Sequence, residues 1–186
     1  MTLKTALTFT ALLLCASPAL ADNWKMDREQ SRLTFTGTES GRAFSGNIPG
    51  FWAEISYDPA KPQEASLDVS IPLGGLTTGN ATYDGEVKKS DWLAVSRLSN
   101  ARYVAQGFTP IAGKPNSFTT KGELTLRETT LAVPLTFTLV VSGDTATATG
   151  SASLDRTAFG VGQGEWASGD VVGKTIGVNF TVVATR

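Results

Sequence analysis

The sequence predicts an all-β fold, best met by an antiparallel barrel of eight strands with a short helical segment. Three observations carry this. Apolar and polar residues alternate with a period of two in run after run. The runs are bounded by Gly, Pro, Asn and Asp, and the chain holds 19 Gly and 8 Pro. Setting aside the first 21 of 186 residues leaves 165, which divide into roughly eight strand-plus-turn units of about 20 residues. A two-sheet sandwich would give a similar pattern. No internal repeat, charge block or low-complexity stretch marks a second domain, so residues 22–186 are expected to form one.

Residues 1–21 read as a secretory signal peptide. Lys4 supplies a positive start, Leu7, Phe9, Ala11, Leu12, Leu13, Leu14 and Cys15 an apolar core, and Ala19-Leu20-Ala21 a small-x-small cleavage site. That core is too short to span a bilayer as a helix. Cleavage would remove the only Cys, leaving no disulfide to support the fold. The expected destination is a bacterial periplasm.

The strands follow in order. Leu33 and Phe35 share one face, as do Phe51, Ala53, Ile55 and Tyr57. Leu67, Val69, Ile71 and Leu73 alternate with Asp68, Ser70 and Pro72. Leu124 with Leu126, then Leu135, Phe137, Leu139 and Val141, then Ile176, Val178 and Phe180 repeat the pattern. Asp58-Pro59 and Gly113-Lys114-Pro115-Asn116 predict turns, and Ser142-Gly143-Asp144 a hairpin tip. Residues 84–98 break the period. Val87, Trp92, Leu93 and Val95 among Lys88, Lys89, Ser90 and Asp91 predict one short helix or two helical turns at one end of the sheet, with Ser90 or Asp91 as cap.

Periodicity alone does not say whether the apolar face points inward or toward lipid. The aromatics, 9% of residues, form no paired girdles, and the helical segment has no place in a simple membrane barrel. The closing Val182-Val183-Ala184-Thr185-Arg186 lacks the terminal aromatic usual in outer-membrane barrels. A soluble barrel with an inward apolar face is the expectation.

The composition excludes much chemistry. Lys plus Arg is 16 against 17 acids, with no basic run, which argues against nucleic acid as a partner. Histidine is absent, so no Ser-His-Asp or Cys-His nucleophile, imidazole metal site or His-ligated haem can form. No catalytic residue, metal or cofactor is expected. Glu39 with Glu54, or Glu165 with Asp170, could in principle do glycosidase work, but nothing in the sequence brings two carboxylates to a working distance. Gly160, Gly162 and Gly164 form Gly-x-Gly-x-Gly with no following helix, so a phosphate cradle fails and close backbone approach is the better reading. Asp155 and Arg156 are adjacent and point to opposite faces of a strand, so Arg156 is expected to bind backbone or another carboxylate. Trp24, Trp52, Trp92 and Trp166 read as core or rim plugs, with Trp92 and Trp166 candidates to gate a tunnel end.

Several segments carry a resemblance. Trp24-Lys25-Met26-Asp27 with Ser31-Arg32-Leu33-Thr34-Phe35, then Phe44-Ser45-Gly46 running into Phe51-Trp52-Ala53-Glu54-Ile55, are two. Leu76-Thr77-Thr78-Gly79-Asn80, Lys89-Ser90-Asp91-Trp92-Leu93 and Gly122-Glu123-Leu124-Thr125-Leu126-Arg127 are three more. The most specific is Leu154-Asp155-Arg156-Thr157-Ala158-Phe159-Gly160-Val161-Gly162-Gln163-Gly164-Glu165-Trp166. In this order and spacing they resemble the YceI family of periplasmic lipid-binding proteins. Many members have a His after the first strand, where this chain has Gly37-Thr38-Glu39.

The resemblance implies a lipocalin-like extended barrel whose tunnel holds a polyisoprenoid or isoprenoid quinone. It also implies an alternative role, as accessory partner of an inner-membrane b-type cytochrome in electron transport. On this reading the ligand-lining candidates are Phe35, Phe51, Ile55, Leu67, Val69, Ile71, Leu124, Leu126, Leu135, Phe137, Leu139, Phe159, Ile176, Val178 and Phe180. Burying one isoprene unit from water would contribute ~3–4 kcal/mol, at about 0.8 kcal/mol per methylene. Such a lipid starts in a membrane, where its surroundings are already apolar, so reversible exchange is expected.

Overall fold

A computed structural model describes residues 22–186; the expected signal peptide lies outside the described residues. The strands are β1 (Asp22–Glu39), β2 (Arg42–Asn47), β3 (Trp52–Tyr57), β4 (Ser66–Pro72), β5 (Asn100–Gln106), β6 (Thr109–Pro110), β7 (Ser117–Leu126), β8 (Thr129–Ser142), β9 (Thr145–Asp155) and β10 (Thr175–Thr185). One α-helix, α1 (Ala81–Glu86), lies between β4 and β5. The ring runs β1-β3-β4-β5-β7-β8-β9-β10, every pairing antiparallel, and β10 pairs back onto β1. This is the closed eight-stranded barrel that the alternation predicts, and closure leaves the ring without a free edge.

β1 is long enough to serve two neighbours. Its register with β10 slips between Asp27 and Arg32. The Asp27 carboxylate accepts the amides of Glu29 (2.9 Å) and Gln30 (3.0 Å), and Ser31 Oγ accepts the Val183 amide (3.0 Å). This bulge bends the strand. Before it, β1 pairs with β3; after it, with β2. The expected tip at Ser142-Gly143-Asp144 is present, with Ser142 opposite Thr145.

The helical expectation needs correction. α1 starts earlier, at Ala81, capped by Asn80, whose Oδ1 accepts from the Thr82 and Tyr83 amides. Neither Ser90 nor Asp91 caps a helix. Residues 87–97 form turns closed by bonds such as Leu93 N to Val87 O (3.0 Å) and Ala94 N to Lys89 O (2.8 Å). Ala94, at φ 51°, stands in the left-handed region that ends helical runs.

The interior holds two clusters at opposite ends of β1. Trp24 belongs to the first and Phe35 to the second. The first is a solid aromatic plug. Phe137 meets Phe108 edge-on at 5.0 Å and stacks on Phe118 at 5.8 Å; Tyr57 packs on Phe108 at 5.8 Å. Trp24 Nε1 donates to Tyr57 O at 3.0 Å. Phe137→Ala is expected to cost ~3–5 kcal/mol, because its buried neighbours cannot collapse into the space. Urea unfolding followed by circular dichroism checks this.

Trp52 is not a plug. It is 37% exposed on the outer wall. Glu54, two residues along the same strand, is exposed as well and far in register from any barrel end shared with Glu39.

Candidate ligand-binding site

Beyond the plug the barrel is hollow. A cavity of about 740 Å³ fills the half toward Phe35, within the roughly 300–1,000 Å³ usual for small-molecule sites. The inward residues of β4 show the difference from a packed core. Leu67, Val69 and Ile71 face the cavity yet all stay half-buried, whereas Phe137 in the plug is 6% exposed.

Eleven of the sequence-predicted residues line this space: Phe35, Phe51, Leu67, Val69, Ile71, Leu124, Leu126, Leu135, Ile176, Val178 and Phe180. Four do not. Phe137 and Leu139 are consumed by the plug, and Ile55 packs against it. Phe159 sits in a 3-10 turn (Arg156–Phe159), 2% exposed, buried in the cluster around the cavity without lining it. The period separates inward from outward positions and carries no depth along the barrel axis.

Other lining residues were missed. Tyr103 projects from β5, where Ala101, Tyr103 and Ala105 alternate inward. That period-two signal was present, diluted by small side chains. Leu76 arrives from an irregular segment with no period to find it; Trp92, on another, is the residue named from sequence as a candidate gate.

Tyr103 fixes two strands at once. Its hydroxyl donates to Val133 O at 2.9 Å, and its ring covers Gly122, where a Cβ would lie 2.1 Å from the phenol oxygen. Only glycine fits there. Burial pushes the Tyr103 phenol from 10.0 to about 12. Tyr57 is also raised by burial, and Tyr83 by its hydrogen bond to Glu39. These are the three tyrosines of the chain. A folded value above the unfolded one gives stability that is complete below about pH 10 and is lost as pH rises toward 12. Tyrosinate absorbance is therefore expected to lag a free-tyrosine control and to climb together with alkaline unfolding.

The end opposite the plug is built around Arg156, only 2% exposed. Its five N–H groups all donate to backbone carbonyls. Nε reaches Gly173 O (3.0 Å), Nη1 reaches Val161 O (2.7 Å) and Gly162 O (3.3 Å), and Nη2 reaches Trp166 O and Val172 O (2.6 Å each). Of the two expected partners, backbone is the one found. Burial holds the guanidinium below its ordinary value, against the pull of the Asp155 charge. Asp155 itself caps the next turn through the Thr157 amide (2.8 Å). Gly162 explains the glycine motif: at φ 76°, with a would-be Cβ 2.0 Å from Arg156 Nη1, it lets the chain wrap the cation.

Arg156 lies over the Trp92 ring at 5.1 Å, and Trp92 meets Trp166 at 5.6 Å. Both indoles line the cavity. The Trp92 N–H is buried with no acceptor among the described residues, so neighbouring rings and the cation position this side chain.

The rim beyond them is polar: Glu39, Thr78, Thr82, Tyr83, Glu86, Lys89 and Glu165. Glu54 and Asp170 are not among them, so neither of the carboxylate pairs weighed from sequence meets here. α1 is anchored by Asp84, which accepts from the Thr78 amide (2.6 Å), the Thr78 hydroxyl (2.8 Å) and the Thr77 hydroxyl. The Thr77 bond and then the Thr78 amide hold the Asp84 carboxyl below its ordinary value. A lowered folded value gives stability present above the unfolded carboxylate range and lost as pH falls through the folded value. Amide exchange over residues 77–86 is expected to quicken at that acid pH, and Asp84→Asn to remove the pH dependence.

A domain model described as YceI-like matches residues 24–184. The chain belongs to the YceI-like family. A UPF0312 protein of Pseudomonas putida is 27% identical over 142 residues, covering 75% of this chain and 72% of its own. One from Photorhabdus laumondii is 28% identical over 140 residues, covering 74% and 71%. Among solved structures, Burkholderia cenocepacia BcnA superposes with a TM-score of 0.81 at 28% identity, covering 86% of this chain and 99% of BcnA. A polyisoprenoid-binding domain from Saccharophagus degradans, implicated in plant cell wall breakdown, gives 0.67 at 13% identity, covering 90% and 99%. At that identity it speaks for the shared YceI-like barrel alone. Among the described residues, no helix is long and apolar enough to cross a membrane.

Proposed function

We propose that this YceI-like protein is a non-catalytic carrier in the periplasm, holding a polyisoprenoid or isoprenoid-quinone lipid in its barrel. The observation that carries the reading is the blind apolar cavity: plugged by aromatics at one end, open at a polar rim at the other. A greasy chain fits such a space without charge or metal, because removing apolar surface from water suffices. The fold shared with the Saccharophagus polyisoprenoid-binding domain supports it.

Protein purified from its native host without detergent tests this. Organic extraction and mass spectrometry are expected to yield an isoprenoid lipid in near-stoichiometric amount. A consistently empty barrel contradicts the reading. An empty barrel that co-purifies with an inner-membrane b-type cytochrome would favour the accessory role in electron transport.

A further inference from the structure

We propose that the rim of the cavity selects isoprenoids with an uncharged head group, carbonyl or hydroxyl, over those ending in phosphate or diphosphate. This rests on the carrier reading above and adds the class of head group. An anionic head needs N–H donors and positive charge. Among the described residues, the lining contains two cations, Arg156 and Lys89. All five Arg156 donors are engaged by carbonyls, so none is left for a phosphate oxygen. Lys89 is ion-paired with Glu86, so its charge is balanced at the rim even though one ammonium donor suffices for the pair.

The carboxylates are less compensated. Glu39 meets the neutral Tyr83 phenol, and Glu165, exposed at the rim, makes no ion pair among the described residues. Among the described lining residues, a diphosphate arriving at this rim meets two carboxylates without an ion pair, and only cations whose charge is already balanced or whose donors are saturated. A carbonyl or hydroxyl head meets no such repulsion, and Thr82 offers a hydroxyl beside it. The acids do not make the site. The cavity does, and the acids with the saturated arginine set what its entrance admits.

The test compares three probes of similar chain length: an isoprenoid quinone, a polyprenol and the polyprenyl diphosphate. Each is titrated into delipidated full-length mature protein at low and high salt. The quinone and polyprenol are expected to bind at least about tenfold tighter than the diphosphate, the gap shrinking at high salt. The double variant Glu39→Gln/Glu165→Gln is expected to close most of the gap. Glu123→Gln, which removes a carboxylate from the outer wall, is expected to leave it. Diphosphate binding as tight as that of the neutral lipids, or a gap untouched by the double variant, overturns the selectivity. Failure of all three probes to bind overturns the carrier reading itself.

Discussion

Arg156→Met is expected to destabilise the protein by at least ~3 kcal/mol, since each buried carbonyl left without a donor costs about 1–3 kcal/mol. Five carbonyls lose their partner at once, drawn from residues 161–173. The aromatic plug lies at the other end and keeps its own contacts. Loss should therefore concentrate in the closing segment: amide protection over residues 157–173 should fall first, with the strands protected longer. Arg156→Lys is not expected to rescue, because an ammonium has three donors and no planar fork. Urea unfolding with residue-resolved hydrogen exchange checks both. A change below about 1 kcal/mol would mean that water replaces the guanidinium cheaply.

Filling the cavity should do the reverse: abolish binding while sparing the fold. Ala152 and Val178 are cross-strand partners on β9 and β10, both facing the hollow. In a packed core, enlarging both to Phe would strain neighbours by about 1–3 kcal/mol per site. Here the new rings enter empty space, and the added apolar contact offsets what strain remains. The double variant Ala152→Phe/Val178→Phe is expected to unfold within about 1 kcal/mol of wild type and to lose lipid binding at least a hundredfold. Severe destabilisation would show that the wall residues already pack against one another.

Strands were legible in the sequence because inward and outward positions alternate chemically. Leu67-Asp68-Val69 and Ile176-Gly177-Val178 say which residues face in. They do not say how far along the axis each lies, so Phe137 and Val178 look alike in sequence although one fills a plug and the other faces a void. That difference depends on Phe108, from the link between β5 and β6, and Phe118, from β7, which converge on Phe137. Placement of α1 turned on which of several capping residues acts: Asn80 wins because Asp84 ties the helix back to Thr77 and Thr78. The role of Arg156 needed the loop closed around it, since its partners are carbonyls that carry no sequence signal.

The half of the barrel between the Phe137 plug and the Trp92–Trp166 end is an apolar void with room for a lipid chain. Titrating delipidated wild type and the Ala152→Phe/Val178→Phe variant with a long polyprenol, followed by tryptophan emission, tests it most directly. Trp92 and Trp166 line the space and report its filling. The expected result is saturable one-to-one binding in wild type and none in an equally stable filled variant. Equal responses from both proteins, or no saturable response from either, would contradict it.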